Sequence, residues 1–188
     1  MGPCHEGGQP PDLPVADGAF TSDPSRTLDH ADRFVRVMDN AVVVVTAADS
    51  SQRSGCLVGF VTQVSIRPWR IMAALSKDNH TFSVAQRAEH LVLHLLTDRD
   101  RPMARLFGEL SGDDIDKLAL VPCTEGPGHT VMVRGLSGLI TRVVDRVDFG
   151  DHVGHVLEPV GSFGPDPGDR RSMTMNDVAD FEPGHPRN

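Results

Sequence analysis

The run from Ala41 to Ala48, AVVVVTAA, constrains the fold more than any other stretch of this chain. Its four consecutive valines are stiff at χ1 and pack well on a pleated surface. The run is also too short for a stable buried helix, so it reads as a buried strand. The same signature recurs at short intervals. Gly55 to Ser65 (GCLVGFVTQVS) reads as a second strand, with Gly59 marking a bend or a close approach by another group. Ile71 to Leu75, His90 to Leu96, Gly138 to Val147 and His152 to Val160 continue the series, and Asp49 to Ser54 is a polar hairpin loop between the first two strands. Helical patterns are fewer and sit at the joins. Asp23 and Pro24 start one that carries Leu28, Ala31, Phe34, Val35 and Met38. Asn79 caps another running to about Glu89, Pro102 opens a third through Leu106 and Phe107, and Asp113 to Leu118 makes a short turn. Many short strands with a few helices predict a mainly β fold, a closed β-barrel rather than a doubly wound sheet.

At 188 residues the chain is long enough for one sizeable core. Residues 1–23 and 164–188 are rich in Gly, Pro and Asp and lack a sustained apolar period. They predict a disordered N-terminal arm and a flexible C-terminal tail around a folded domain at 24–163. Within the tail, Met173, Met175, Val178 and Phe181 are the residues able to dock. A formal net charge of −8 and the absence of tyrosine argue against a nucleic-acid surface, which needs clustered cations and stacking rings. A local basic pocket for one small phosphate is still allowed. Cys4, Cys56 and Cys123 form no CxxC pair, so reduced thiols in a cytoplasmic protein are the plainer reading. The first residues lack the basic and apolar regions of a secretory leader, and no apolar run is long enough for a bilayer. The expectation is a soluble protein with no membrane association.

The segment SKDNHT, Ser76 to Thr81, follows a strand and opens a helix. Lys77, Asn79, His80 and Thr81 beside the unpaired N–H groups of a helix start make a phosphate cradle. Locally, an ordinary Asn cap beside a solvated lysine is the plainer reading. In GCLVGFVTQVS, Gly59 lets a flat ring lie near the backbone, with Leu57, Val58 and Phe60 as apolar surroundings; a plain core strand is the alternative. His90 and His94 have a spacing that suits a metal on a helix, but on a strand they stand roughly 13 Å apart on one face. His152 and His155 should face opposite sides of their strand, so no metal site is expected. DFGDHVG, Asp148 to Gly154, is either a turn or the border of a pocket with an imidazole able to donate to a ligand oxygen. No G-x-S-x-G, P-loop or G-x-G-x-x-G is present.

Taken in order, VVVVTAAD, SGCLVGFVTQVSIRPWRIMAALSKDNHTFSVAQRAEHLVLHLL, ARLFGE, DKL and VDFGDHVGHVLEPV resemble the flavin reductase-like FMN-binding split β-barrels, from about Arg33 to Gly161. The resemblance implies a homodimer with FMN (or FAD) at the interface and NAD(P)H as co-substrate. It implies a hydride passed from NAD(P)H to flavin, with reduced flavin available to a partner monooxygenase. It places Leu57, Val58, Gly59, Phe60 and Thr62 along the flavin ring, where the family usually has a hydroxylic T-A-S-S run. Ser76, Lys77, Asn79, His80 and Thr81 fall at the ribityl phosphate, His94 where an Asn is common, and Asp116 with Lys117 on a D-K pair. His152 falls at the G-D-H position beside the nicotinamide side of the flavin, the one position given a catalytic role. The family's D-P-P is Arg67, Pro68 and Trp69 here, where Trp69 packs on a ring or covers the barrel end. The rival readings are a non-catalytic flavin or haem carrier, and a deazaflavin- or FMN-dependent reductase of a small organic substrate.

Overall fold

The computed structural model describes residues 23–166 and 168–184, so the expected N-terminal arm lies outside the described residues except for Asp23. The chain divides into two units, Met1–Phe34 and Val35–Asn188. The described part of the first is the start of helix α1 (Pro24–Met38). Asp23 accepts hydrogen bonds from the Ser25 backbone N–H at 3.0 Å and its hydroxyl at 2.8 Å, and these satisfy donors at the helix start.

In the second unit the strands are β1 (Val43–Ala48), β2 (Arg53–Val58), β3 (Val61–Ile66), β4 (Trp69–Ser76), β5 (His90–Leu95), β6 (Cys123–Glu125), β7 (Val131–Val133), β8 (Ser137–Asp148) and β9 (His152–Phe163). Helices α2 (His80–Ala85) and α3 (Arg101–Glu109) flank β5. Seven strands form one sheet in the order β2-β1-β5-β8-β9-β4-β3, every pair antiparallel, and β6 with β7 makes a separate hairpin. The mainly β expectation holds.

The expected strand from Gly55 to Ser65 is two strands. β2 and β3 are neighbours in sequence but stand at opposite ends of the sheet order, and the chain crosses between them at Gly59 and Phe60. The Phe60 carbonyl accepts the Ala74 N–H of β4 at 2.9 Å. Cys56 and Val58 of β2 share a core with Ala73 and Leu75 of β4. One end of the sheet therefore curls onto the other, which is how an antiparallel sheet closes into a barrel and loses its free edges.

β1 explains why four valines are needed in a row. Val43 and Val45 join Leu75, Leu91, Leu93 and Leu157 inside the barrel, while Val42 and Val44 face Leu96, Phe107 of α3 and Val133 of β7. Alternation puts both faces of one strand in a core, and each buried valine contributes about 1.5–3 kcal/mol. The second face is completed by the C-terminal segment. Met173 exchanges main-chain hydrogen bonds with Val42 and Leu96, and Met173, Val178 and Phe181 are buried.

Asn79 caps α2 as expected, accepting the Thr81 N–H at 2.9 Å, but the helix ends at Ala85 rather than near Glu89. Ala88 packs into the barrel core and the Glu89 carbonyl accepts the Val143 N–H, which turns the chain into β5. Trp69 begins β4 opposite Ile66 and stays partly exposed. Cys56 and Cys123 are unbridged, and Cys4 lies outside the described residues. Among the described residues no helix is long and apolar enough to cross a membrane.

Candidate functional site

The crossover at Gly59 and Phe60 lies beside the start of β9. The β4–β9 register pairs Ser76 with His152, and the Lys77 N–H donates to the Asp151 carbonyl at 2.9 Å. This register brings the end of β4 next to the Asp151–His152 turn. The Phe60 ring meets the His152 imidazole edge-on with centroids 5.0 Å apart. His152 Nδ1 stands 2.9 Å from the Asp151 carboxylate, which leaves Nε2 for another partner. Leu57, Val58, Gly59, Phe60, Ser76, Asn79 and His152 line one cavity of about 110 Å³. Seven of the residues named from sequence are thus brought together.

Asn79 also borders a narrow cleft of about 30 Å³, shared with Leu57, His80, Ser111 and Gly112. His80 Nδ1 is 2.8 Å from the Asp113 carboxylate. Thr81 lies beneath this surface, fully buried, with its hydroxyl 2.9 Å from that of Ser54. Lys77 points to Asp148, with Nζ 2.8 and 2.9 Å from its two carboxylate oxygens. The hydrogen bond from Lys77 holds the Asp148 carboxyl below the usual carboxylate range. Each basic or imidazole group here, Lys77, His80 and His152, is therefore matched by an aspartate. An arriving anion has to compete with those carboxylates.

Two of the named residues are placed elsewhere. Thr62 is an exposed residue of β3 and borders none of these spaces. His94 is fully buried between β1 and β7. Its Nε2 accepts the Val133 N–H at 2.9 Å, which requires the proton on Nδ1, and Nδ1–H donates to the Val44 carbonyl at 3.1 Å. Burial pushes its pKa down to about 4, so His94 is a neutral cross-link in the core. His155, three residues along β9 from His152, is also buried with its pKa lowered to about 4, first by desolvation.

Of the lining residues that the sequence did not name, two come from the C-terminal segment. Met175 lines the ring-side cavity, and Gly184 lines the cleft, where its N–H donates to the Gly108 carbonyl at 3.1 Å. The spacing of Met173, Met175, Val178 and Phe181 was the available signal, since it allows docking but does not say against what. A Cβ added at Gly59 would run into the Met175 sulfur, so the space above this glycine holds the thioether.

The donor set suits a flat, polar-edged ring with an anionic tail: a bare glycine backbone, apolar neighbours, a hydroxyl, an amide and two imidazoles. The cavity of about 110 Å³ is below the roughly 300–1,000 Å³ of ligand pockets. Met175, unbranched and partly exposed, forms one wall of it. It is the donor set, rather than the volume, that fits a flavin.

Residues 35–176 match the family model described as flavin reductase like domain. A curated relative, the FMN reductase (NADH) RutF of Bradyrhizobium diazoefficiens, is 26% identical over 112 residues, 60% of this chain; the chain spans 62% of that relative's length. Among solved structures, the Streptomyces globisporus NADH:FAD oxidoreductase SgcE6, in complex with NAD and FAD fragments, superposes with a TM-score of 0.65 at 20% identity, covering 90% of this chain and 96% of that one. Flavoredoxin from Methanosarcina acetivorans gives a TM-score of 0.65 at 16% identity, over 73% and 86% of the two chains. At these identities the structural likeness establishes the fold.

Proposed function

Because the chain belongs to the flavin reductase-like domain family, we propose that it binds a flavin along the Gly59–Asn79 groove and catalyses hydride transfer from NAD(P)H to that flavin. One observation carries this reading. Gly59, Ser76, Asn79 and His152 come from three separate parts of the chain and line one cavity, within the residues that match the family.

A flavin bound there supplies the hydride-accepting ring, and the protein's part is orientation and electrostatics. Gly59 would let the ring approach the backbone once the Met175 thioether moved aside, and Leu57, Val58 and Phe60 would shield its edge from water. His152, held by Asp151 through Nδ1–H, presents Nε2 at the rim, as an acceptor when the ring is neutral and as a donor to a ligand oxygen when the ring carries its second proton. Ser76 and Asn79 lie along the polar side, His80 stands at the cleft, and Lys77 approaches an anion only by leaving Asp148. No group on the chain has to act as acid or base, since a hydride moves without a separate proton. Thr62 and His94 have no role in this arrangement. Homodimerisation, a monooxygenase that consumes the reduced flavin, and a cytoplasmic setting belong to the same proposal and are supported by the family pattern.

The test is equilibrium titration of the purified protein with FMN, followed by NADH and NADPH oxidation in the presence of FMN, FAD or riboflavin. Saturable flavin binding with nucleotide consumption is expected. Consumption of neither nucleotide with any of the three flavins overturns the reductase reading, and a Soret band in the purified protein points instead to a haem carrier.

A further inference from the structure

Met175 reaches Gly59 from a segment that is fastened on both sides, and the fastening starts at a residue outside the groove. Asp39, the residue after α1, has φ 47°, in the left-handed region that a side chain enters at a cost. Its carboxylate meets the C-terminal segment twice. Oδ1 accepts the Asn176 N–H at 2.9 Å, and Oδ2 accepts the Thr174 hydroxyl at 2.9 Å. These two bonds straddle Met175, whose own N–H donates to the Asn40 carbonyl at 2.9 Å. Thr174 is also held by Asp177, which accepts its N–H at 2.9 Å and pairs with Arg171 at 2.7 Å. An antiparallel bridge from Ala41 to Thr174 joins the same two segments.

Burial of the tail does not require this clamp. Met173, Val178 and Phe181 anchor the segment by apolar burial, and Met173 adds main-chain bonds to Val42 and Leu96. The Asp39 bonds act more locally. They fix the backbone on either side of the residue whose sulfur lies against Gly59. With both neighbours held, the thioether leaves that place only by side-chain rotation. A flat ring approaching Gly59 has to drive that rotation against a fixed backbone.

We propose that Asp39 is a positioning residue of the flavin site, holding the Met175 thioether over Gly59 and so lowering the affinity for flavin. The proposal rests on the flavin reading above and adds the device that sets its strength. Asp39 lines neither the cavity nor the cleft, and it acts through Thr174, Asn176 and the residue between them.

The experiment compares two substitutions. Asp39→Gly keeps the positive φ without steric cost and removes both acceptors. Asp39→Asn tolerates the same φ, and its amide accepts from the Asn176 N–H and donates to the Thr174 oxygen, so it should restore wild-type behaviour. The readouts are FMN affinity by fluorescence titration and, in flavin-free protein, hydrogen peroxide oxidation of each methionine followed by mass spectrometry. In Asp39→Gly, FMN is expected to bind roughly threefold more tightly. Met175 should oxidise roughly threefold faster while buried Met173 stays protected, which shows that the segment remains docked. In a Met175→Ala background Asp39→Gly should leave FMN affinity unchanged, a coupling that a general loss of stability does not produce. Weaker FMN binding in Asp39→Gly, the same change with and without Met175, Asp39→Asn behaving like Asp39→Gly, or Met173 and Met175 exposed alike each overturns the proposal and leaves the flavin reading intact. Failure of the wild-type protein to bind FMN removes the flavin reading, and this proposal with it.

Discussion

The thioether of Met175 rests against Gly59, in the space that any Cβ at that position would occupy. Gly59 stands at the crossover that closes the barrel, and Met175 lies two residues beyond the buried anchor Met173. A residue of the C-terminal segment thus supplies one wall of the groove.

Met175→Ala should open the ring-side cavity and strengthen FMN binding by roughly fivefold, about 1 kcal/mol, because the side chain no longer has to be displaced. Met175 is 43% exposed, so the change should leave the unfolding midpoint nearly unaltered. Weaker FMN binding in the titration would mean that the thioether packs on the ring instead of yielding to it.

Lys77 and Asp148 form an exposed pair that competes with an incoming phosphate. Asp148→Asn should tighten FMN by about threefold while leaving riboflavin, which has no phosphate, unaffected; the gain should shrink as salt rises. Lys77→Ala should act in the opposite direction on FMN alone. A parallel response of FMN and riboflavin would remove Lys77 from the phosphate end.

His94 makes stability depend on pH. Unfolded, its imidazole takes a proton near pH 6.5; folded, it resists protonation down to about pH 4. The unfolded chain therefore binds more protons between these values, and stability falls as pH drops through that window and stops falling below it. The cost approaches about 3 kcal/mol at the lower end, and His155 adds to it in the same window. Urea unfolding at several pH values from 7 to 4 should show this slope, and His94→Gln should make it shallower. An identical slope in the variant would be inconsistent with a neutral His94 cross-link.

Lys117 is buried, and its ammonium donates to the carbonyls of Phe107 at 3.2 Å and Leu110 at 2.9 Å, at the end of α3. Burial lowers its pKa, opposed by its charge interaction with Cys56. Lys117→Met keeps the length of the side chain and leaves both carbonyls without this donor. It should destabilise the fold by about 1–3 kcal/mol, read as a lower urea midpoint, with FMN affinity preserved in the folded fraction.

The sequence by itself determined most of the long strands, though not the break at Gly59 or the β6–β7 hairpin. Four stiff valines between polar loops, the Asn79 cap and Pro102 at the start of a helix act through neighbours in the chain, and each produced the element it predicts. The order of motifs from VVVVTAAD to GDHVG also marked the family, and it named most of the residues that meet at Gly59. What the tertiary structure decided is where the polar side chains go. Lys77 finds Asp148 across 71 residues and His94 finds Val133 across 39, by strand pairings that local pattern does not encode. A lysine beside an Asn cap reads the same whether it faces a phosphate or an aspartate, and a histidine on a β-strand reads the same inside or outside. The docking of Met175 follows from burying Met173 against β1, which fixes the path of the next residues through the backbone; no spacing within the tail encodes Gly59 as its partner.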